Sequence, residues 1–212
     1  MNKFVLVYEK LKKEFGHQNW WPVKTGSRFE ICIGAILTQN TNWKNVEKAL
    51  NNLIAAKALN PRIIAEMPKA KLEKLIRPSG FYKQKAERLK TFSNFFLNKN
   101  NFYKNITREE LLKVKGIGKE TADSILLYAC NKPFFVVDAY TKRSFSRIGL
   151  ISENDYEKIR TIFEKNIPRD ISFYKEFHAL IVELSKKYCK KEPLCKPCPL
   201  NKICKHVKKM RL

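Results

Sequence analysis

Four cysteines crowd the end of this 212-residue chain as Cys189-x5-Cys195-x2-Cys198-x5-Cys204. Thiolates are soft ligands, and four of them within 16 positions suit an iron–sulfur cluster or a structural zinc. In a cytosolic chain this crowding points to metal rather than to disulfides, and the spacing alone does not choose between zinc and iron. Pro193, Pro197 and Pro199 keep the segment from forming a regular helix and supply the turns that a loop around a metal needs. Cys32 and Cys130 instead stand inside the apolar runs ICIGAIL and SILLYAC, where cysteine behaves as a small core residue.

A second chemical signature is LLKVKGIGKETA, from Leu111 to Ala122. Apolar helical patterns flank a short turn. Gly116 and Gly118 can adopt backbone angles that gather amide N–H groups in a concave array at the start of the second helix. Such a nest binds phosphate without reading base sequence. Ile117 is placed to pin the turn to the core, and Lys115 and Lys119 add positive charge beside it. The bland alternative is a tight helix–helix turn with no ligand.

The elements that must position these residues read as helices almost throughout. Phe4, Val7, Leu11 and Phe15 recur at helical spacing. Ser27 is placed to cap a helix running through Ile31 to Leu37, with Glu30 completing a capping box, and its nearly all-round apolarity predicts burial. Further helices are expected over Asn42–Ala56, Arg62–Glu66, Lys69–Ile76, Lys83–Leu97, Arg108–Lys113, Thr121–Ala129 and Ala139–Ser146. Asp138 stands where it would N-cap the last of these. Phe173, Phe177, Leu180, Ile181 and Leu184 mark one more. Phe134–Val137 has strand propensity but no partner strands, so it reads as a buried connector. Roughly ten helices with short connections make an all-α protein.

Composition narrows the partner. Forty-three Lys+Arg against 20 Asp+Glu give a net charge of +23, while 44% hydrophobic residues exclude a disordered basic tail. Nucleic acid is the expected partner, because lysine and arginine gain affinity by releasing counterions from phosphates. A lysine-rich composition that merely aids solubility is the bland reading. No apolar run approaches the roughly 20 residues of a membrane span, and Met1–Phe15 lacks the apolar stretch of a secretory signal. No membrane association is therefore expected, and the chain is placed in the cytoplasm, nucleoid-associated in a prokaryote. The late basic residues Lys205, Lys208, Lys209 and Arg211 fit a solvated end or a DNA contact equally.

KGIGKETADSILLYA followed by FFVVDAYTKR, with ILTQNT nearer the start and the C-terminal cysteines, resembles the endonuclease III superfamily of DNA glycosylases along nearly the whole chain. The resemblance implies a two-lobed all-α helix–hairpin–helix fold. It implies a helical-barrel lobe over 20–134 and a cluster lobe made of 1–19 plus 135–212. It also implies that Cys189, Cys195, Cys198 and Cys204, in a loop over 189–204, hold a [4Fe–4S] cluster, with zinc the alternative. The first gap between cysteines is one residue shorter than the family's usual one. Members of this family flip a damaged nucleotide out of double-stranded DNA and cleave its glycosidic bond. The aspartate of the Val-Asp pair, here Asp138, is the implied catalytic carboxylate; it would stabilise an oxocarbenium-like sugar or orient water. Gln39 matches the residue that fills the hole left by the flipped nucleotide, with Asn40 assisting. A monomer is expected.

Bifunctional members carry a lysine directly before the Thr-Ala pair, where this chain has Glu120. Lys119, one position earlier, points about 100° away on a helix. A glutamate forms no imine, so a monofunctional enzyme using water is expected, with lyase activity weak or absent. The WWP of Trp20, Trp21 and Pro22, the LTQNTNW that ends at Trp43 and the RPSGFYKQKAERL of residues 77–89 resemble the 3-methyladenine glycosylase branch. There the matching aromatics sandwich the alkylated purine. Aromatic faces attract cations, and Asp138 with Glu120 would favour a cationic base further. Core packing is the alternative for the tryptophans. That branch carries a pocket lysine where this chain has Leu180, and its representative lacks the cysteine loop. Three rivals stay open: a bifunctional glycosylase/abasic-site lyase on oxidised pyrimidines, a G·T or G·U mismatch glycosylase, and a non-catalytic DNA-binding module.

Overall fold

The computed structural model describes residues 2–209, so Arg211 lies outside it. Among the described residues there are thirteen α-helices, a 3-10 turn and a π-helical segment, and no strand. In chain order the helices are α1 (Lys3–Phe15), α2 (Arg28–Leu37), α3 (Trp43–Ala55), α4 (Pro61–Glu66), α5 (Lys69–Ile76), α6 (Tyr82–Leu97) and α7 (Phe102–Asn105). They continue as α8 (Arg108–Lys113), α9 (Lys119–Ser124), α10 (Ala139–Ile148), α11 (Tyr156–Asn166), α12 (Ile171–Lys187) and α13 (Lys205–Lys209). Among the described residues no helix is long and apolar enough to cross a membrane.

Two compact units result. Val23–Asn131 forms one. At its centre α2 is buried from Phe29 to Leu37, packed by α3, α6, α9 and the π segment. An apolar helix with no polar face has to lie in the middle of a bundle. Ser27 caps it through the Phe29 amide at 3.2 Å. The expected capping box is not formed. Glu30 is buried and turns back to accept from the Lys24 amide at 2.9 Å and from the Thr25 amide and hydroxyl at 2.8 and 2.7 Å. A carboxylate that has left water takes the densest set of donors within reach, and the incoming loop offers three. The capping box occurs instead at α8, between Thr107 and Glu110.

The apolar run after the hairpin also departs from expectation. It is α-helical only to Ser124, and Ile125–Ala129 is a π-helical turn, every residue of it buried. A wholly apolar run gives no polar face by which the sequence could mark such a wide turn.

The described residues up to Pro22 and from Lys132 onward form the other unit. Here α12 packs on α1 and α10. Phe163 sits among aromatic rings, stacked on Phe135 at 4.4 Å and close to Phe145 at 4.5 Å and Phe4 at 5.0 Å. Phe135–Val137 is buried without secondary structure. Side chains of α11 satisfy its backbone: the Phe135 amide donates to Glu164 at 3.0 Å, and the Val137 amide to the Tyr156 hydroxyl at 3.5 Å. This connector delivers Asp138 to the first turn of α10.

Candidate active site

Asp138 is the N-cap of α10. Its Oδ1 accepts the Thr141 amide at 2.7 Å, and its Oδ2 lies 3.5 Å from Nε2 of His178. His178 projects from the middle of α12 and is itself buried. Burial pushes the Asp138 carboxyl up, but His178 and the Thr141 amide outweigh it and hold it below the ordinary value of 3.8. The carboxylate is therefore kept ionised, with 14% of its side chain exposed. N-capping and chemistry are compatible, since an ionised carboxylate has about four acceptor sites and the cap takes one of them.

The same helix anchors the tryptophan segment. Glu176, buried on α12, accepts the Gln18 amide at 3.1 Å and meets Nδ1 of His17 at 2.8 Å. Gln18 in turn donates to the Phe15 carbonyl at the end of α1 at 2.9 Å. Trp20 and Trp21 follow, joined by a cis peptide, both half-buried, with ring centroids 5.5 Å apart and planes inclined by 56°. Lys186, also on α12, stands 5.5 Å from the Trp20 ring. Pro22 is exposed, and Leu180 is fully buried.

The hairpin belongs to the other unit. Ile117 is buried and closes the turn by donating to the Val114 carbonyl at 3.0 Å. Lys115, Gly118, Lys119 and Glu120 are exposed, and Thr121 and Ala122 turn inward. Gly116 has φ +90°, and a Cβ there would lie 2.5 Å from Cγ of Arg88, so only glycine fits. Gln39 is tied to this hairpin. Its amide nitrogen donates to the Gly116 carbonyl at 2.9 Å and to the Thr121 hydroxyl at 3.0 Å, and its oxygen accepts from Arg88. Asn40 is exposed with φ +52°. Trp43, half-buried, opens α3 behind the Asn42 cap.

All four C-terminal cysteines line one small pocket, together with Arg147, Leu184 and Leu200. Arg143 donates to the Cys189 carbonyl at 2.9 Å, Arg147 donates to the Lys191 carbonyl at 2.8 Å, and an Arg147 nitrogen lies 3.5 Å from Cys189 Sγ. Burial pushes the Cys198 thiol up to about 11, with the other three thiols adding to the rise. Burial and then the Cys204 and Cys189 thiols raise Cys195 as well. Thiols that oppose one another's ionisation need a cation among them to ionise together, so the donor set fits a metal-containing group. Among the described residues no three His, Cys, Asp or Glu side chains group to hold a metal ion by themselves.

Sequence reasoning missed two residues here. His178 lies in an apolar helix and gains meaning only from Asp138, 40 positions away. Phe81 is 64% exposed with φ +45°, in the turn between the 3-10 segment and α6. An aromatic residue so exposed and in so disfavoured a conformation is a signal only the structure provides.

The sequence profile of the HhH-GPD superfamily base excision DNA repair proteins matches residues 33–169. A Methanocaldococcus jannaschii protein named as a DNA repair glycosylase is 51% identical, over 96% of this chain and 97% of its own. The structure of the H. pylori 3-methyladenine DNA glycosylase bound to 1,N6-ethenoadenine superposes with a TM-score of 0.79 at 37% identity, covering 88% of this chain and 98% of that one. An endonuclease III–DNA complex superposes with a TM-score of 0.86 at 25% identity, covering 99% of this chain and 98% of the other. This chain is therefore a member of the HhH-GPD superfamily of base excision DNA repair proteins, among the endonuclease III-type DNA glycosylases.

Proposed function

We propose that this chain is a monofunctional DNA glycosylase that removes cationic alkylated purines, such as 3-methyladenine, from double-stranded DNA. The observation that carries the reading is the ionised Asp138 carboxylate, which faces His178 of α12, the helix that also anchors the Trp20–Trp21 segment. An N3-alkylated adenine carries positive charge and already has a weakened glycosidic bond. A π face and a carboxylate both favour it, and no general acid is required. In the reaction, water attacks C1′ of the sugar. The C1′–N bond breaks with its electron pair going to the base, which leaves neutral. Asp138 stabilises the cationic sugar and orients the water, whose proton passes to solvent. His178, on the second oxygen, fixes which face of the carboxylate stays available. The similarity to a 3-methyladenine glycosylase crystallised with a modified adenine supports the substrate class.

In the other unit, the Gly116–Gly118 turn with Lys115 and Lys119 would hold a phosphate, and Gln39 with Asn40 would meet the disrupted duplex. Phe81 is suited to enter a base step as an apolar wedge. Cys189, Cys195, Cys198 and Cys204 would hold a [4Fe–4S] cluster, which supplies a rigid core for its loop. The purified protein should contain iron.

The test is incubation with methylated DNA and chromatography of the released bases, with Asp138→Asn alongside. Wild type should release 3-methyladenine and the variant should not. Release of no alkylated purine by wild type would reject the substrate assignment.

A further inference from the structure

Lys85 is the most deeply buried cation of the Val23–Asn131 unit, with no exposed surface. It lies in the first turn of α6, and none of its contacts is with a carboxylate. Its ammonium donates to the Leu37 carbonyl at 2.8 Å, the Thr41 hydroxyl at 2.7 Å and the Ser79 carbonyl at 2.7 Å. The Thr41 hydroxyl also donates to the Ser79 carbonyl, which closes the cluster. A buried ammonium facing only neutral oxygens is costly, and an apolar side chain of the same length would fill the space without that cost. What the ammonium adds is geometry. Three protons reach three acceptors on two separate loops.

Each of those loops carries an exposed residue in an unusual conformation. Leu37 and Thr41 bracket Gln39 and Asn40, and Ser79 immediately precedes Gly80 and Phe81. Asn40 and Phe81 both have positive φ, at +52° and +45°. One helical turn along α6, Arg88 donates to Gln39, whose amide runs on to the hairpin carbonyl of Gly116. Burial, with Arg88 nearby, pushes the Lys85 ammonium down to about 8. A neutral amine has only two N–H protons, so the third hydrogen bond requires the ammonium.

We infer that Lys85 is a positioning residue for lesion engagement, locking the Gln39–Thr41 and Ser79–Phe81 loops into one register so that both meet a distorted duplex together. The inference rests on the glycosylase reading. It predicts a selective defect: binding to intact DNA, which depends on the hairpin and on overall charge, survives, whereas preference for a duplex with a gap in its stack is lost.

The test compares the full-length protein with Lys85→Met and Thr41→Val. Each is titrated against a duplex carrying a tetrahydrofuran abasic-site analogue and against the same duplex undamaged. Thermal melts establish that each variant is folded. For Lys85→Met the abasic-to-intact preference should fall roughly tenfold, with intact-duplex affinity unchanged. Thr41→Val, which keeps Lys85 but removes the shared hydroxyl, should show a smaller fall in the same direction. A folded Lys85→Met with the wild-type preference overturns the inference, as does an equal loss of both affinities, the signature of a merely structural lysine. If Lys85→Met does not fold, a full wild-type preference in Thr41→Val overturns it. A wild-type protein with no preference removes the glycosylase reading and the inference with it.

Discussion

Arg108 clamps Asp123 across the hairpin, with Nε 2.6 Å from Oδ1 and Nη2 3.2 Å from Oδ2. Asp123 is fully buried on α9, and Arg108 opens α8. The pair therefore joins the two helices whose separation sets the shape of the Gly116–Gly118 turn. Arg108→Ala leaves a buried carboxylate without its guanidinium, which costs about 3–5 kcal/mol, read as a lower urea midpoint at an unchanged slope. Replacing both together, Arg108→Met with Asp123→Leu, should recover most of that stability, because no charge is then stranded. If Arg108→Ala alone is as stable as wild type, the pair is not what holds the hairpin.

The environment of Asp138 makes a pH prediction. Burial raises its carboxyl, and His178 followed by the Thr141 amide lowers it further than burial lifts it, so the net position is below 3.8. A carboxylate depressed in the folded state contributes stability at all pH above its unfolded value. That contribution is lost only as the pH falls through the depressed value. Base release by wild type should accordingly be flat from about pH 8 down to about pH 5, with no acid limb from Asp138 in that range. His178→Gln removes the largest lowering influence and should move the acid limb upward. An unshifted profile for the folded variant would show that His178 does not govern the carboxylate.

How much of this could be read from the chain follows the range of each interaction. Helix α2 and the hairpin were visible because their signals are local: a continuous apolar period in one, and Gly, Lys and Ile at fixed offsets in the other. Asp138 as an N-cap was visible for the same reason, since its partner Thr141 is three positions on. Helix α11 escaped because it buries only Ile159 and Phe163, too thin a stripe to stand out among its charges. Glu30 was assigned to the wrong donors, because a capping box and a bond back into the preceding loop have the same sequence pattern. Lys85 looked like one more lysine among 43 Lys+Arg; its meaning lies in the Leu37 carbonyl, 48 positions away. Residues whose role depends on a distant partner carry no local mark.

On the proposed monofunctional reading, Glu120 is the residue that separates two chemistries. It is exposed in the first turn of α9, directly before the inward-facing Thr121 and Ala122. An amine placed there could attack C1′ and expel the base. The resulting imine would lose the 3′ phosphate by elimination and could be reduced by borohydride to a stable protein–DNA adduct. A carboxylate cannot take that route, so wild type should give no adduct with borohydride and should leave intact abasic strands that break only in hot alkali. Glu120→Lys should gain a trappable adduct, while its rate of base release changes less than its rate of strand cleavage. Lys119 is the control, because about 100° of helix separates it from position 120. Should wild type be trapped and Lys119→Ala abolish the trapping, the hairpin would have to offer Lys119 to the sugar, and the monofunctional reading would fall.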